Sequence, residues 1–409
     1  MNRMLDGVLS LFEAELAAHA QSLFDWWRSI ETADGFLPEV DAAGVARPDA
    51  GHSIILSTRL LWYFSAYGRI AGNVEALRLA DKALKRLRTH FLDETYGGFL
   101  WALNADASPS ASHKQAYAQA FGIYALAEHY AASGEASSLE LARRLFRLLE
   151  RHYRDAVHGG YIEALSRNFT PVSDQRLSDK DLNAPKSMNT HLHVLEAYAR
   201  LHQVAPTSET EAALGYVLDL FCNHIVDADT GHLRLFFDMD WRSQSAHVSY
   251  GHDIEASWLL WEAAEALGDP VRLAAFRPIC LRIAGATGAG GMGRDGGVYY
   301  EADAEGGALN AVGEWWGQAE ALVGFLNAYE LSGDEAHLLR AWSVWSFVKL
   351  RHLPEGHGEW SWYPEGSGRT NPYLAGAWKC PYHNGRALME GVGRLKRLTA
   401  CPEPRAAAL

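Results

Sequence analysis

The sequence predicts an all-α fold: an (α/α)6 barrel of six helical hairpins, with short Gly-aromatic β-hairpins or loops at one mouth. A repeated signal and the pattern between its copies carry that prediction. Glycine followed by an aromatic or apolar residue recurs at Gly35-Phe36, Gly98-Phe99, Gly160-Tyr161, Gly231-His232-Leu233, Gly297-Val298 and Gly358-Glu359-Trp360, roughly 60 to 70 residues apart. The intervening segments place apolar residues at helical spacing. An open solenoid of such hairpins would need polar repeats at its ends, and neither terminus is polar enough. A closed ring needs none.

The elements follow in order. MNRMLDGVLSLFEAELAAH carries Asp6 and Glu13 within its apolar stretch and lacks a small-residue cleavage site, so it reads as a first amphipathic helix and not a secretion signal. LSTRLLWYFSAYGRI, QAYAQAFGIYALAEHY, NTHLHVLEAYARLH, GHDIEASWLLWEAAEAL and WWGQAEALVGFLNAYELSG are the more apolar, inner helices. Most stop at a glycine before a polar residue (Gly72-Asn73, Gly134-Glu135, Gly268-Asp269, Gly333-Asp334), the left-handed residue that ends a helix cheaply. More basic outer helices follow, among them EALRLADKALKRLRTHF, SLELARRLFRLLERHY and EAHLLRAWSVWSFVKLRH. An acidic residue precedes each Gly-aromatic segment, as in Asp93-Glu94-Thr95-Tyr96-Gly97-Gly98. The glycine-rich stretch Gly288-Ala289-Gly290-Gly291-Met292-Gly293 reads as a loop, since no Lys-Ser/Thr follows it as phosphate binding would require.

With no Ser/Pro/Gly-rich linker, residues 1–409 read as one catalytic domain. Apolar residues are 48% and charged residues 21%, the balance of a globular chain. The net charge of −13 would repel a phosphate backbone, which argues against nucleic acid. No apolar run is long enough to span a membrane. Cys222, Cys280, Cys380 and Cys401 are scattered, which fits a reducing, cytoplasmic setting. The expected partner is a small molecule, the expected state a monomer or weak dimer.

Each inner helix carries polar or aromatic groups in apolar surroundings. They are Arg59; Tyr117; Asn189 with His193; His252 with Glu255; Trp315, Gln318 and Glu320; and His383, Asn384 and Arg386. In a ring these repeat-equivalent positions converge on one axis, as polar groups do in a ligand pocket. Asn189 and His193 share a helix face, as do His252 and Glu255. His191 and His193 are two apart and point about 200° from each other on a helix, so they make a poor metal pair; neither a metal nor a cofactor is expected. Trp315, Trp316 and Trp378 abut the polar set. Their flat faces suit the C–H face of a sugar ring, with simple packing as the alternative for Trp316.

Two imidazoles and a guanidinium suit a particular chemistry. A histidine can take and return a proton near neutrality, and an arginine can hold the oxyanion that forms when a proton leaves the carbon beside a carbonyl. That combination points to an enediolate, and so to a sugar isomerase or epimerase. His252 and His383 lie on different repeats, so they can face opposite sides of one carbon.

Five segments carry a resemblance: SYGHDIEASW (249–258), MNTHLH (188–193), WWGQAEA (315–321), WKCPYHNGR (378–386) and Arg59 within STRLLWYF. Together they closely resemble the cellobiose 2-epimerases of the N-acylglucosamine 2-epimerase superfamily, across almost the whole chain. The resemblance implies an (α/α)6 barrel and cofactor-free C2 epimerisation of the reducing-end glucose of β-1,4-linked disaccharides. It implies that His252 and His383 are the acid/base pair and that Arg59 holds the developing charge. His193 and Asn189 would assist ring opening, Glu255 would orient His252, and Tyr117, Trp315 and Trp378 would shape and stack the substrate. Monosaccharide isomerases or epimerases of the same superfamily are the alternative. A glycoside hydrolase fits less well, because it needs two carboxylates across the scissile bond.

Overall fold

The structure, a computed structural model, describes residues 3–303, 307–353 and 358–400. Among these residues lie twelve α-helices, numbered in chain order: α1 Arg3–Ser29, α2 Ile54–Ala71, α3 Val74–Arg86, α4 Ala116–Ser133, α5 Ala136–His152, α6 Met188–Val204, α7 Ser208–Leu220, α8 Tyr250–Leu267, α9 Pro270–Ala286, α10 Trp315–Ser332, α11 Glu335–Arg351 and α12 Tyr382–Ala400. Each even-numbered helix touches the next, and α12 returns to α2, so the six inner helices close a ring. The outer helices pack behind them. None of the described helices is long and apolar enough to cross a membrane.

The expected punctuation is present. Gly72, Gly134, Gly268 and Gly333 end α2, α4, α8 and α10 with φ of 63° to 73°. The acidic residue ahead of each Gly-aromatic segment makes a tight turn: Asp93 Oδ1 accepts the N–H groups of Thr95 and Tyr96, and Asp155 Oδ1 those of Val157 and His158. The fourth residue of an inner helix then clamps the backbone just beyond the glycine. Gln119 bonds both backbone groups of Phe99, and Gln318 both of Val298. His191 Nε2 accepts from Tyr161 N–H, and Asp253 Oδ1 from Leu233 N–H. These clamps draw the connecting segments over the N-terminal ends of the inner helices, which form the mouth.

Two features depart from the sequence reading. The glycine-rich stretch is not a free loop: Thr287–Gly291 continues α9 as a wide turn, as Leu87–Phe91 does after α3 and Phe221–Ile225 after α7. A Cβ on Gly291 would come within 2.8 Å of the Tyr250 ring, so glycine lets the turn press on α8. The sixth hairpin, moreover, is assembled from both ends of the chain. α1 packs behind α12, Trp27 donates its indole N–H to Glu359, and Val40–Asp41 pairs antiparallel with Tyr373–Ala375. Cys222, Cys280 and Cys380 are free thiols, and Cys401 lies outside the described residues.

Candidate active site

The inner helices begin at the mouth, so their first two turns carry the polar side chains that face the barrel axis. His252 sits in the first turn of α8, where Ser249 Oγ lies 2.7 Å from its Nδ1. His383 sits at the start of α12 with Nδ1 2.6 Å from Glu320 Oε1. A carboxylate at that distance accepts a hydrogen bond from Nδ1–H, which fixes the tautomer and leaves Nε2 as the basic nitrogen. Both rings pack on the indole of Trp316, with centroids 4.7 Å from His252 and 5.7 Å from His383. The two imidazoles therefore share one aromatic wall. Burial, and secondarily His193, lowers the His252 pKa to about 3. Burial, then Arg59 and Arg386, holds His383 well below its ordinary value. Both are neutral bases at physiological pH.

Arg59 of α2 is buried and makes no ion pair among the described residues. Its Nη2 donates to the Tyr117 hydroxyl at 2.8 Å and its Nη1 to Cys380 Sγ at 3.8 Å. The guanidinium lies 4.4 Å and 4.6 Å from the ring centres of Phe121 and Tyr382, and its Nε has no partner. Burial works against its charge, yet Tyr117 and Cys380 hold the pKa above its ordinary value. A buried cation without a carboxylate is arranged to meet an anion that arrives with the reaction.

Below this layer lies a network centred on Arg386. Its guanidinium pairs with Glu196, and with Glu255 and Glu320 at 2.7 Å each. Glu196 also accepts from the Tyr382 hydroxyl and lies 3.0 Å from His193 Nδ1. Glu255, Glu320 and His383 bring one donor atom each within 4.8 Å of one another, a spacing a cation could bridge. The Arg386 guanidinium already supplies positive charge between the two carboxylates.

The structure thus brings together His252, His383, His193, Arg59, Tyr117, Trp316, Glu255 and Glu320. Asn189 joins them at the cleft, its Oδ1 without a partner. Trp378, partly exposed, stands 6.3 Å from the Tyr117 ring and 6.2 Å from that of Trp101. Other placements differ from expectation. Gln318 is spent on the Val298 backbone, and Asn384 donates to Glu359 at 2.6 Å, so both serve the fold behind the site. Trp315 packs at a tilt against Trp362, its ring centre 6.3 Å from that of His383. Glu255 bonds Arg386, and Ser249, not Glu255, holds His252. Glu196 escaped the sequence reading, although its place three residues after His193 and seven after Asn189 put it on the same helix face.

A cleft of about 910 Å³ opens above these groups, with Asn189 and His252 at its floor and Lys180, Tyr300, Glu314 and Tyr363 on its walls. That volume accommodates more than one sugar ring.

Comparison with known proteins agrees with this picture. Residues 35–387 match the family described as N-acylglucosamine 2-epimerase (GlcNAc 2-epimerase). The chain is 43% identical to a cellobiose 2-epimerase of Bacteroides fragilis over 88% of this chain and 92% of that one. It is 36% identical to the Ruminococcus albus cellobiose 2-epimerase, over 84% and 88% of the two chains. The solved cellobiose 2-epimerase of Bacillus thermoamylovorans superposes with a TM-score of 0.90 at 33% identity, covering 94% of this chain and all of the other.

Proposed function

The chain belongs to the N-acylglucosamine 2-epimerase family, and from that membership and the site we propose a cellobiose 2-epimerase, an isomerase acting on the reducing-end glucose of β-1,4-linked disaccharides. Cellobiose becomes glucosyl-mannose and lactose becomes epilactose, both reversibly. The observation that carries this reading is the pair of neutral imidazoles, His252 and His383, packed on the one indole of Trp316, with Arg59 held uncompensated nearby.

Epimerisation begins with the open-chain aldose, whose ring opening His193 and Asn189 assist. One imidazole takes the C2 proton. The C2–H bond pair becomes the C1–C2 double bond, and the carbonyl pair moves onto O1. Arg59 stabilises that oxyanion, which exists only along the reaction and so lowers the barrier without tightening the ground state. The other imidazole, protonated from solvent before it acts, delivers that proton to the opposite face of C2; the enediolate collapses to the aldehyde with C2 inverted, and the first imidazolium returns its proton to solvent. The cleft above His252 has room for the second, non-reacting sugar.

The test is incubation with cellobiose, lactose and mannose in D2O, followed by NMR. A mannose-ended disaccharide deuterated at C2 is expected. Ketose alone, or reaction of mannose only, would indicate a monosaccharide enzyme, and free glucose from cellobiose a hydrolase. Replacing His252 or His383 by Asn should leave binding and cut C2 exchange by about 10²-fold or more. Full exchange in either variant refutes the two-base assignment.

A further inference from the structure

Glu314 stands immediately before α10, at the position where an acidic side chain ordinarily accepts a backbone N–H from the first helical turn. It makes no such capping bond. Its Oε2 instead accepts the indole N–H of Trp316 at 3.1 Å, and the residue also lines the cleft. Trp316 is the wall shared by the two imidazoles. Tyr300 meets the same ring edge-on at 6.1 Å. The six-membered part of the ring presses against α8, where a Cβ on Gly251 would come within 2.5 Å of it. Glycine next to His252 thus lets the indole approach, and Glu314 fixes which way it lies.

We propose that Glu314 is a positioning residue: through the Trp316 indole it sets where His252 and His383 stand relative to each other, and so decides which carbon of the enediolate is reprotonated. This rests on the two-imidazole reading above. The intermediate has two outlets. A proton delivered to C2 from the opposite face gives the epimer, whereas a proton delivered to C1, with the O2 proton passed to O1 and the carbonyl re-formed at C2, gives the ketose. Both products leave the same intermediate, so their ratio reports donor placement and not overall stability.

Cellobiose turnover in D2O is followed by NMR for wild type, Glu314→Ala and Glu314→Gln. Glu314→Ala is expected to lower kcat about tenfold, leave KM within about threefold, and raise the ketose-to-epimer ratio severalfold. Glu314→Gln retains an acceptor for the indole and should return the ratio most of the way to wild type. Trp316→Phe, with and without the acceptor-free, similarly sized Glu314→Leu, together with Glu314→Leu alone, which should raise the ratio, covers the case in which the alanine variant does not fold. Without the indole N–H, the second change should leave the ratio where Trp316→Phe put it. A further shift would mean that Glu314 acts elsewhere, and would overturn the proposal. If wild type makes no C2 epimer, the reaction assignment fails and the proposal with it. If wild type epimerises and Glu314→Ala matches it in rate and ratio, the proposal alone fails.

Discussion

Replacing Glu255 by Gln should stabilise the protein in a pH-dependent way. The Glu255 carboxyl is buried, with Oε1 2.7 Å from Arg386 Nη2 and Oε2 without a partner. Burial, and then Glu320, pushes its pKa up from 4.5 to about 7, although Arg386 pulls the other way. Between those two values the folded protein retains a proton that the unfolded chain releases. Stability is therefore lost as pH rises from 4.5 to about 7, and the loss is level above that range. For one such group the loss between about pH 5 and 8 is on the order of 2 to 3 kcal/mol. Glutamine keeps a carbonyl for Arg386 and has no proton to lose. Urea titrations of variant and wild type at both pH values should show the gap moving in the variant's favour by about that amount. A gap that stays constant or narrows refutes the reasoning. A variant that is more stable at the higher pH yet slower in C2 exchange would identify Glu255 as a group retained for chemistry at a cost in stability.

Ser249→Ala removes the hydroxyl beside His252 Nδ1, and should lower kcat for C2 exchange about tenfold with little change in KM, because imidazole orientation and not binding is lost. In Glu255→Gln, which removes the carboxyl whose pKa is raised to about 7, the rate of exchange across about pH 5 to 8 should show no inflection at the ordinary histidine pKa near 6.5, since the His252 pKa lies at about 3 and that of His383 is also strongly depressed. The base form persists as pH falls through 6.5, and an acid limb centred there in kcat/KM would contradict the burial argument.

Much of this molecule was legible in one dimension because its fold is a repeat. Six similar hairpins force equivalent positions onto one axis, so the spacing of Arg59, Tyr117, His193, His252, Glu320 and His383 placed them in one pocket before any coordinates. The left-handed glycines were likewise legible, because helix termination is local chemistry. The same logic was available for Gln318. Gln119, His191 and Asp253 occupy the same fourth position of their helices and clamp the same turn, which marks Gln318 as a fold residue once the four are compared.

Sequence by itself determined the ring, its period and which polar side chains the inner helices bring to the mouth, since these follow from patterns repeated within helical reach. Tertiary structure alone decided how the ring closes and who partners whom. α1 completes the hairpin of α12, some 350 residues away, and Arg386 on α12 draws in carboxylates from α6, α8 and α10. Ser249 rather than Glu255 holds His252, because Arg386 claims the carboxylate first. A buried ionic contact depends on which side chain arrives at that point in space. Helical periodicity fixes the face a residue shows, but not the neighbour it meets there.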